Sequence, residues 1–236
     1  MLYGSNPPRV LPVLQAIASQ RNAPLTVVDH TRLQVQKWDI NGTQMNFGPW
    51  KDLHLPLLGT YQPLNAANAL SAVELLRLEG MHISDEAVRE GLRAVRWPAR
   101  FERLREADPI LFYDGSHNPQ GITSAVQTVK TYFPNQRVTV LTGVMRDKNY
   151  ETMIDSIQGI AHRVFTVTPS NPRSLPAEDY AAHFRAKGVA AEASATVAEG
   201  VQKAIAYAKA TASPLICLGS LYLYGELSEA VQKELP

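Results

Sequence analysis

One segment of the sequence places a carboxylate, an imidazole and a helix start within six residues: Asp114-Gly115-Ser116-His117-Asn118-Pro119. It follows an apolar strand pattern and opens a helical one. Ligands of open parallel sheets bind beyond the carboxyl ends of the strands, and the free N–H groups of a helix start attract anions. The segment therefore predicts a site for an anionic ligand. The alternative is a capped turn, because Asp, Gly and Asn favour turns and Asn118 can cap the helix.

The first part of the chain must supply the elements around any such site. Asn41-Gly42 is a strong hairpin signal, Gly80 predicts a left-handed helix end, and Ser84 predicts a helix cap. The apolar periodicities predict a helix over 9–20 after Pro7 and Pro8, a strand over 23–29, a hairpin over 33–47, a strand over 54–58, and helices over 62–79 and from 84 to about 96.

The pattern changes after Trp97-Pro98-Ala99-Arg100. Strand patterns alternate there with helical patterns, which predicts an α/β fold: a mostly parallel, Rossmann-like sheet with helices on both faces. The strands are expected at 110–113, 138–142, 164–168 and 215–218, and the helices at 119–132, 150–160, 177–187 and 197–210. We place a domain boundary near residue 96.

Composition excludes several function classes. The 236 residues include 23 basic and 22 acidic ones, so the net charge of +1 gives no reason to expect nucleic acid or a membrane surface as a partner. No apolar run is long enough for a membrane span, and no secretory signal is visible, so a cytoplasmic protein is expected. The single cysteine, Cys217, lies in an apolar strand pattern and is expected to be a buried hydrophobe.

Five segments in order resemble the folylpolyglutamate synthases of the Mur ligase family. Asp114 to Pro119 is similar to that family's Asp-Gly-Ala-His-Asn-Pro. The other four are Leu58-Gly59-Thr60-Tyr61-Gln62-Pro63-Leu64-Asn65-Ala66-Ala67, Trp97-Pro98-Ala99-Arg100-Phe101-Glu102 (with Ala99 in place of the usual glycine), Gly143-Val144-Met145-Arg146-Asp147-Lys148-Asn149-Tyr150 and Gly219-Ser220-Leu221-Tyr222-Leu223-Tyr224-Gly225-Glu226.

The resemblance implies an ATP-dependent amide ligase of folate biosynthesis. ATP phosphorylates the terminal carboxylate of a folate, and the amine of L-glutamate attacks the acyl phosphate. Residues 1–96 would be the end of the family's P-loop ATPase domain and 97–236 its glutamate ligase domain. Dihydrofolate synthases share these motifs, so a dihydrofolate synthase piece is an alternative.

The resemblance also implies roles for individual residues. Asn65 would bind adenine, Arg100 the ATP phosphates and Asp114 the ribose hydroxyls. His117 would face the phosphates or the incoming glutamate, Lys148 would bind a glutamate carboxylate, and Ser220 would donate to glutamate. The alternatives are structural: a polar position on an alanine-rich packing helix for Asn65, a surface ion pair with Glu102 or a neighbour for Arg100, an exposed loop lysine for Lys148 and a cap of the last helix for Ser220. Core packing is expected of Tyr222 and Tyr224.

The sequence contains no Gly-Lys-Ser or Gly-Lys-Thr loop of the kind that cradles ATP phosphates. The magnesium ligands of the family would lie upstream of this chain, so no metal site is expected here. We therefore expect a partial, inactive piece, whether a truncated form, a proteolytic remnant or a split-gene product. The full enzyme would be monomeric, whereas this chain would self-associate through sheet edges over 23–58. A non-catalytic module that binds a nucleotide or glutamate is the second functional alternative.

Overall fold

A computed structural model describes residues 2–4, 9–106 and 108–234, which form two compact units divided between Arg96 and Trp97. Pro7 and Pro8, expected before the first helix, lie outside the described residues. Among those described, no helix is both long and apolar enough to cross a bilayer. The identities of the two units as ATPase end and glutamate ligase domain stay predictions at this point.

The first unit contains two small sheets and three α-helices. Its elements are β1 (Leu2–Tyr3), α1 (Val10–Gln20), β2 (Thr26–Val27), β3 (Leu33–Asp39), β4 (Gly42–Phe47), β5 (Trp50–Leu55), α2 (Gln62–Leu78) and α3 (Asp85–Ala94). β1 pairs with β2 in parallel, and β3, β4 and β5 form an antiparallel sheet. The strand expected over 54–58 was misplaced, because it begins at Trp50 after a turn at Gly48, whose φ is +54°.

Local signals explain the helix ends of this unit. The Ser84 hydroxyl accepts the Ala87 N–H at 3.1 Å and caps α3. Gly80, just past α2, has φ +92°, a left-handed conformation that glycine adopts without steric cost. The core lies between β3–β5 and helices α2 and α3, and it is centred on Phe47, Trp50 and Leu70.

The second unit confirms the α/β fold. Its elements are β6 (Glu102–Arg105), β7 (Leu111–Asp114), α4 (Pro119–Tyr132), β8 (Val138–Thr142), α5 (Tyr150–Gln158), β9 (Ala161–Thr166), α6 (Ala177–Ala186), β10 (Ala191–Ala193), α7 (Val197–Ala210), β11 (Leu215–Leu218), a short 3₁₀ helix (Leu221–Leu223) and α8 (Tyr224–Lys233). The sheet order is β10-β9-β8-β11-β7-β6, and only β6 runs antiparallel to its neighbour.

The central strands of this sheet are buried on both faces, as parallel strands usually are. All residues of β7, β8 and β11 are buried, including Cys217, and burial raises the pKa of the Cys217 thiol. One face packs against α7 and α8 around Tyr113 and Leu141. The connections through α4, α5 and α6 all cross the sheet in the direction opposite to that of α7, so right-handed crossovers place these three helices on the other face. Strands β6 and β10 were not predicted, because both are short edge strands with weak apolar patterns.

Candidate functional site

Three predicted site residues follow three neighbouring strands of the second unit. His117 comes after β7, Lys148 after β8 and Ser220 after β11, and β11 lies between β7 and β8. Because these strands are parallel, their carboxyl ends share one edge of the sheet. The Gly219 N–H donates to the Ser116 carbonyl at 2.9 Å and joins two of the three loops. The structure thus brings these three segments to one edge.

The loops can approach this closely because glycine stands at two strand exits. A Cβ on Gly219, whose φ is +113°, would lie 2.5 Å from the Gly143 carbonyl oxygen. A Cβ on Gly143 would lie 2.7 Å from the Val167 carbonyl oxygen. Any larger residue would push the strand ends apart, so both glycines determine the shape of this edge.

Asp114 ends β7 and is 1% exposed. Its Oδ2 accepts the Phe101 N–H at 3.0 Å, and its Oδ1 accepts the Ser116 N–H at 2.9 Å and also the Ser116 hydroxyl. Such a carboxylate offers almost no surface to a ribose. The predicted ribose contact stays a prediction, and it requires the Phe101 or Ser116 segment to move.

The ring of His117 is oriented by its own loop. Its Nδ1 lies 2.9 Å from the Gly115 carbonyl oxygen, which can only accept, so Nδ1 carries a proton. In the neutral ring Nε2 then holds the lone pair and can accept a proton or a hydrogen bond. The next residue, Asn118, caps α4 through a 2.8 Å bond from the Gly121 N–H. The cap expected from the sequence is present, and the histidine is half-buried beside it.

Arg100 lies on the turn that opens the second unit. Its side chain is half-buried, and it forms no hydrogen bond or ion pair with residues 97–106 or 108–234. The alternative of an ion pair with Glu102 is not observed, because Glu102 instead accepts from Ala99 and Tyr224. The Ala99 carbonyl accepts the Gly115 N–H at 2.8 Å, which attaches this turn to the His117 loop.

Lys148 lies in a group of charged side chains after β8. Its Nζ is 3.7 Å from an oxygen of Asp147, and Arg173 Nη1 approaches the same oxygen to 3.5 Å. The Lys148 side chain is 34% exposed. The loops are held together by backbone bonds, since Arg146 N–H donates to the Arg173 carbonyl at 2.8 Å.

Ser220 is 1% exposed and begins the short 3₁₀ helix, where its hydroxyl accepts the Tyr222 N–H at 3.2 Å. The capping alternative is therefore observed, and a bond to glutamate stays a prediction.

Tyr222 and Tyr224, which follow Ser220, differ in their packing. Tyr224 packs edge-on against Tyr113 with centroids 5.1 Å apart, whereas Tyr222 is 55% exposed, so core packing was wrong for Tyr222.

Asn65 belongs to the first unit and is exposed on the first turn of α2. Its Nδ2 donates to Gln62 Oε1 at 3.0 Å. The role in adenine binding stays a prediction. In the same unit, Arg32 pairs with Glu74 through its two terminal guanidinium nitrogens.

Two further observations concern metal ligands and a cavity away from the site. Within the described ranges, no group of three His, Cys, Asp or Glu side chains is arranged to hold a metal ion. A cavity of about 590 Å³ lies at the opposite edge of the sheet, between the starts of β8 and β9, with Arg137 and His162 in its wall. None of the predicted site residues lines that cavity.

Some contacts that support the site were not predicted from the sequence. Glu102 and Tyr224 meet through a 2.8 Å hydrogen bond, although they are 122 positions apart. Glu102 stands in the same segment as Arg100, and Tyr224 stands in the last of the five family segments, but neither segment indicates that the two side chains meet. Arg173 was also missed, because nothing local indicates that its loop reaches Asp147.

Comparison with known proteins assigns residues 99–221 to a family model described as Mur ligase, glutamate ligase domain. A dihydrofolate synthase/folylpolyglutamate synthase of Bacillus subtilis is 32% identical over 184 residues, covering 78% of this chain and 42% of the relative. A folylpolyglutamate synthase of Lacticaseibacillus casei is 33% identical over 180 residues, covering 75% and 40%. The chain thus spans about two fifths of the length of these relatives.

Among solved structures, the Mycobacterium tuberculosis folylpolyglutamate synthase complexed with ADP is similar to this chain with a TM-score of 0.84. The match covers 99% of this chain and 54% of that one at 24% identity, which supports a shared fold.

Proposed function

From the premise that this chain belongs to the Mur ligase family through its glutamate ligase domain, we propose that it supplies the nucleotide and glutamate side of an ATP-dependent ligase. The substrates are a folate and L-glutamate, and the reaction makes an amide on the terminal carboxylate of the folate. Dihydrofolate synthase activity, which joins glutamate to dihydropteroate, is the neighbouring alternative, because relatives of both descriptions are similar to the chain.

The observation that carries this proposal is the guanidinium of Arg100, a half-buried residue. It has no hydrogen-bond or ion-pair partner within 97–106 and 108–234, and its turn is bonded to the His117 loop. An arginine whose donors have no partner within these ranges suits phosphate oxygens, which it can bind with two parallel hydrogen bonds. A stability role would instead pair the guanidinium with a carboxylate.

The chemistry needs a leaving group, because a carboxylate is a poor electrophile. Transfer of the γ-phosphoryl group of ATP to the folate carboxylate gives an acyl phosphate and ADP. The glutamate amine then forms a C–N bond to the acyl carbon, and the C–O bond to phosphate breaks. Arg100 offsets the negative charge on the phosphoryl oxygens. His117 Nε2 lies on the same edge and can take the proton that the amine loses.

Binding of the incoming glutamate is assigned to the loops after β8 and β11. Lys148 attracts a carboxylate of the amino acid, and Ser220 donates to it when its turn opens. Asn65 holds the adenine, and Asp114 lies next to the ribose. Magnesium and the phosphate-cradling loop come from a part of the ligase that the 236 residues do not contain. We therefore expect this chain alone to be inactive in ligation.

Calorimetric titration of the chain with MgATP tests the nucleotide assignment. Arg100→Ala should weaken binding about tenfold, because a lost charge-assisted contact to phosphate is worth about 1.4 kcal/mol. Arg137→Ala is the matched control, since Arg137 precedes β8 at the opposite edge of the sheet. Equal losses in both variants, or no binding by the unchanged chain, would contradict the assignment.

A second assay separates the ligase from a non-catalytic binding module. The chain is incubated with ATP, a reduced folate and glutamate, and product is measured. Absence of product together with ATP binding is expected. Robust product formation by the chain alone would refute the expected inactivity.

A further inference from the structure

The backbone around Arg100 is held in an uncommon conformation. Ala99 has φ +58° and Phe101 has φ +45°, so the residues on both sides of Arg100 are in the left-handed region. Non-glycine residues rarely adopt this region, and such positions persist only where the surroundings enforce them. The side chains of Ala99 and Phe101 are 4% and 0% exposed, so both neighbours point inward while Arg100 is half-buried.

Two carboxylates enforce this conformation. Glu102 Oε2 accepts the Ala99 N–H at 2.8 Å, and Asp114 Oδ2 accepts the Phe101 N–H at 3.0 Å. Each neighbour of Arg100 therefore donates its backbone N–H to a charged acceptor, and such bonds are stronger than those between neutral groups. The Phe101 ring also stacks on Phe112 with centroids 5.1 Å apart, which anchors the turn in the core.

The Glu102 carboxylate is itself fixed from the far end of the chain. The Tyr224 hydroxyl donates to Glu102 Oε2 at 2.8 Å. Burial and this bond raise the pKa of Tyr224 to about 12, so the hydroxyl keeps its proton at neutral pH. The Tyr224 ring packs against Tyr113, whose hydroxyl donates to the Ser220 carbonyl. The same network thus supports the turn of Arg100 and the turn of Ser220.

We propose that Glu102 and Asp114 are positioning residues that fix the backbone on both sides of Arg100 and thereby hold its guanidinium at the carboxyl edge of the sheet. The proposal rests on the proposed function, because Arg100 is the residue that meets ATP phosphates there. This role acts through the backbone and is separate from the ribose contact predicted for Asp114. Tyr224 completes the arrangement by orienting Glu102.

The test compares Glu102→Ala with Glu102→Gln in the full chain. Glu102→Ala removes the acceptor, so MgATP binding should weaken about tenfold, as in Arg100→Ala. Glu102→Gln keeps an oxygen acceptor and should recover affinity to within about threefold of the unchanged chain. Glu106→Ala is the matched control, because Glu106 lies on the same segment but is 83% exposed and pairs with Arg103.

The double variant separates positioning from a structural role. If Glu102 acts through Arg100, then Glu102→Ala should cause no further loss of affinity in an Arg100→Ala background. An additional loss there of about tenfold would overturn the proposal. Tyr224→Phe, which keeps the ring and removes only the hydroxyl, gives the same comparison if Glu102→Ala fails to fold.

A measurement without nucleotide distinguishes failure of this proposal from failure of the proposed function. The order parameter of the Arg100 Nε–H group, obtained by NMR relaxation, should fall in Glu102→Ala or Tyr224→Phe and stay unchanged in Glu106→Ala. If the unchanged chain binds no MgATP but this fall is seen, the proposed function fails and the positioning role stands. An unchanged order parameter overturns the positioning role whatever the binding result.

Discussion

The two units of this chain bury their secondary structure to different extents. In the second unit every residue of β7, β8 and β11 is buried between two layers of helices. In the first unit, α1 has one buried residue, Ala18, while Val10, Val13 and Ile17 are 38%, 57% and 44% exposed. The parallel pair β1–β2 has two strands, and such a pair needs further covering to be stable.

This difference indicates where the stability of the chain resides. A buried central strand gains hydrophobic free energy along its whole length, whereas a helix that exposes its apolar side gains little. The candidate site edge lies on the well-enclosed unit, which gives its loops a rigid base. The self-association expected through residues 23–58 stays a prediction, and light scattering on the purified chain would test it.

The largest difference in stability is expected between two isoleucine-to-alanine variants, one in each unit. Ile216 on β11 is 0% exposed, and Ile216→Ala should lower the free energy of unfolding by about 2–5 kcal/mol. Ile17→Ala on α1 should change it by about 0.5 kcal/mol or less, because that side chain is already in contact with water. Urea denaturation followed by circular dichroism measures both, and equal losses would break the comparison.

Two glycines with positive φ allow the units to be compared at single backbone positions, Gly80 in the first unit and Gly219 in the second. Gly80 after α2 has open space around its would-be Cβ, whereas that of Gly219 would meet the Gly143 carbonyl oxygen at 2.5 Å. In both variants an alanine must adopt a left-handed backbone conformation, which lowers the free energy of unfolding. Gly219→Ala should lower it by about 1–3 kcal/mol more than Gly80→Ala, because the strand ends must also separate. Thermal unfolding of the two variants checks the difference; a Gly80→Ala loss as large would contradict it.

The smallest effect should come from an ion-pair group on β9, β10 and α7. Lys203 and Arg163 lower the pKa of the Glu192 carboxyl below its ordinary 4.5. A lowered folded-state pKa contributes stability above pH 4.5 that is lost as pH falls through the folded value. Because Glu192 is 37% exposed, screening limits its contribution at neutral pH to about 0.5 kcal/mol.

Glu192→Gln isolates that contribution. Its unfolding free energy should lie slightly below that of the unchanged chain at neutral pH, and the difference should shrink at an acidic pH well below 4.5, where the carboxyl takes up a proton in the folded state as well. Urea midpoints at the two pH values measure it. A difference that grew on acidification would show that the sign is wrong.

Much of the fold was predictable because the signals are local. The Asn118 and Ser84 caps and the Asn41-Gly42 hairpin were found where the sequence indicated them. The edge strands β6 and β10 were missed, because a short strand is selected by its neighbour rather than by its own pattern. In the site, the position of Asp114 at the end of a strand followed from the alternating pattern, whereas its burial and the shared edge of His117, Lys148 and Ser220 did not.

The sequence by itself determined the α/β order of the second unit, the five ordered motifs and hence the family, because periodicity, caps and motif spacing are properties of short stretches. Only the tertiary structure decided that Glu102 and Asp114 accept hydrogen bonds from the backbone on either side of Arg100 and that Tyr224 donates to Glu102. These partners are separated by up to 122 positions, and their contact depends on how the strands and the last helix pack. No pattern of neighbouring residues encodes that packing, since it arises from the burial of the whole sheet.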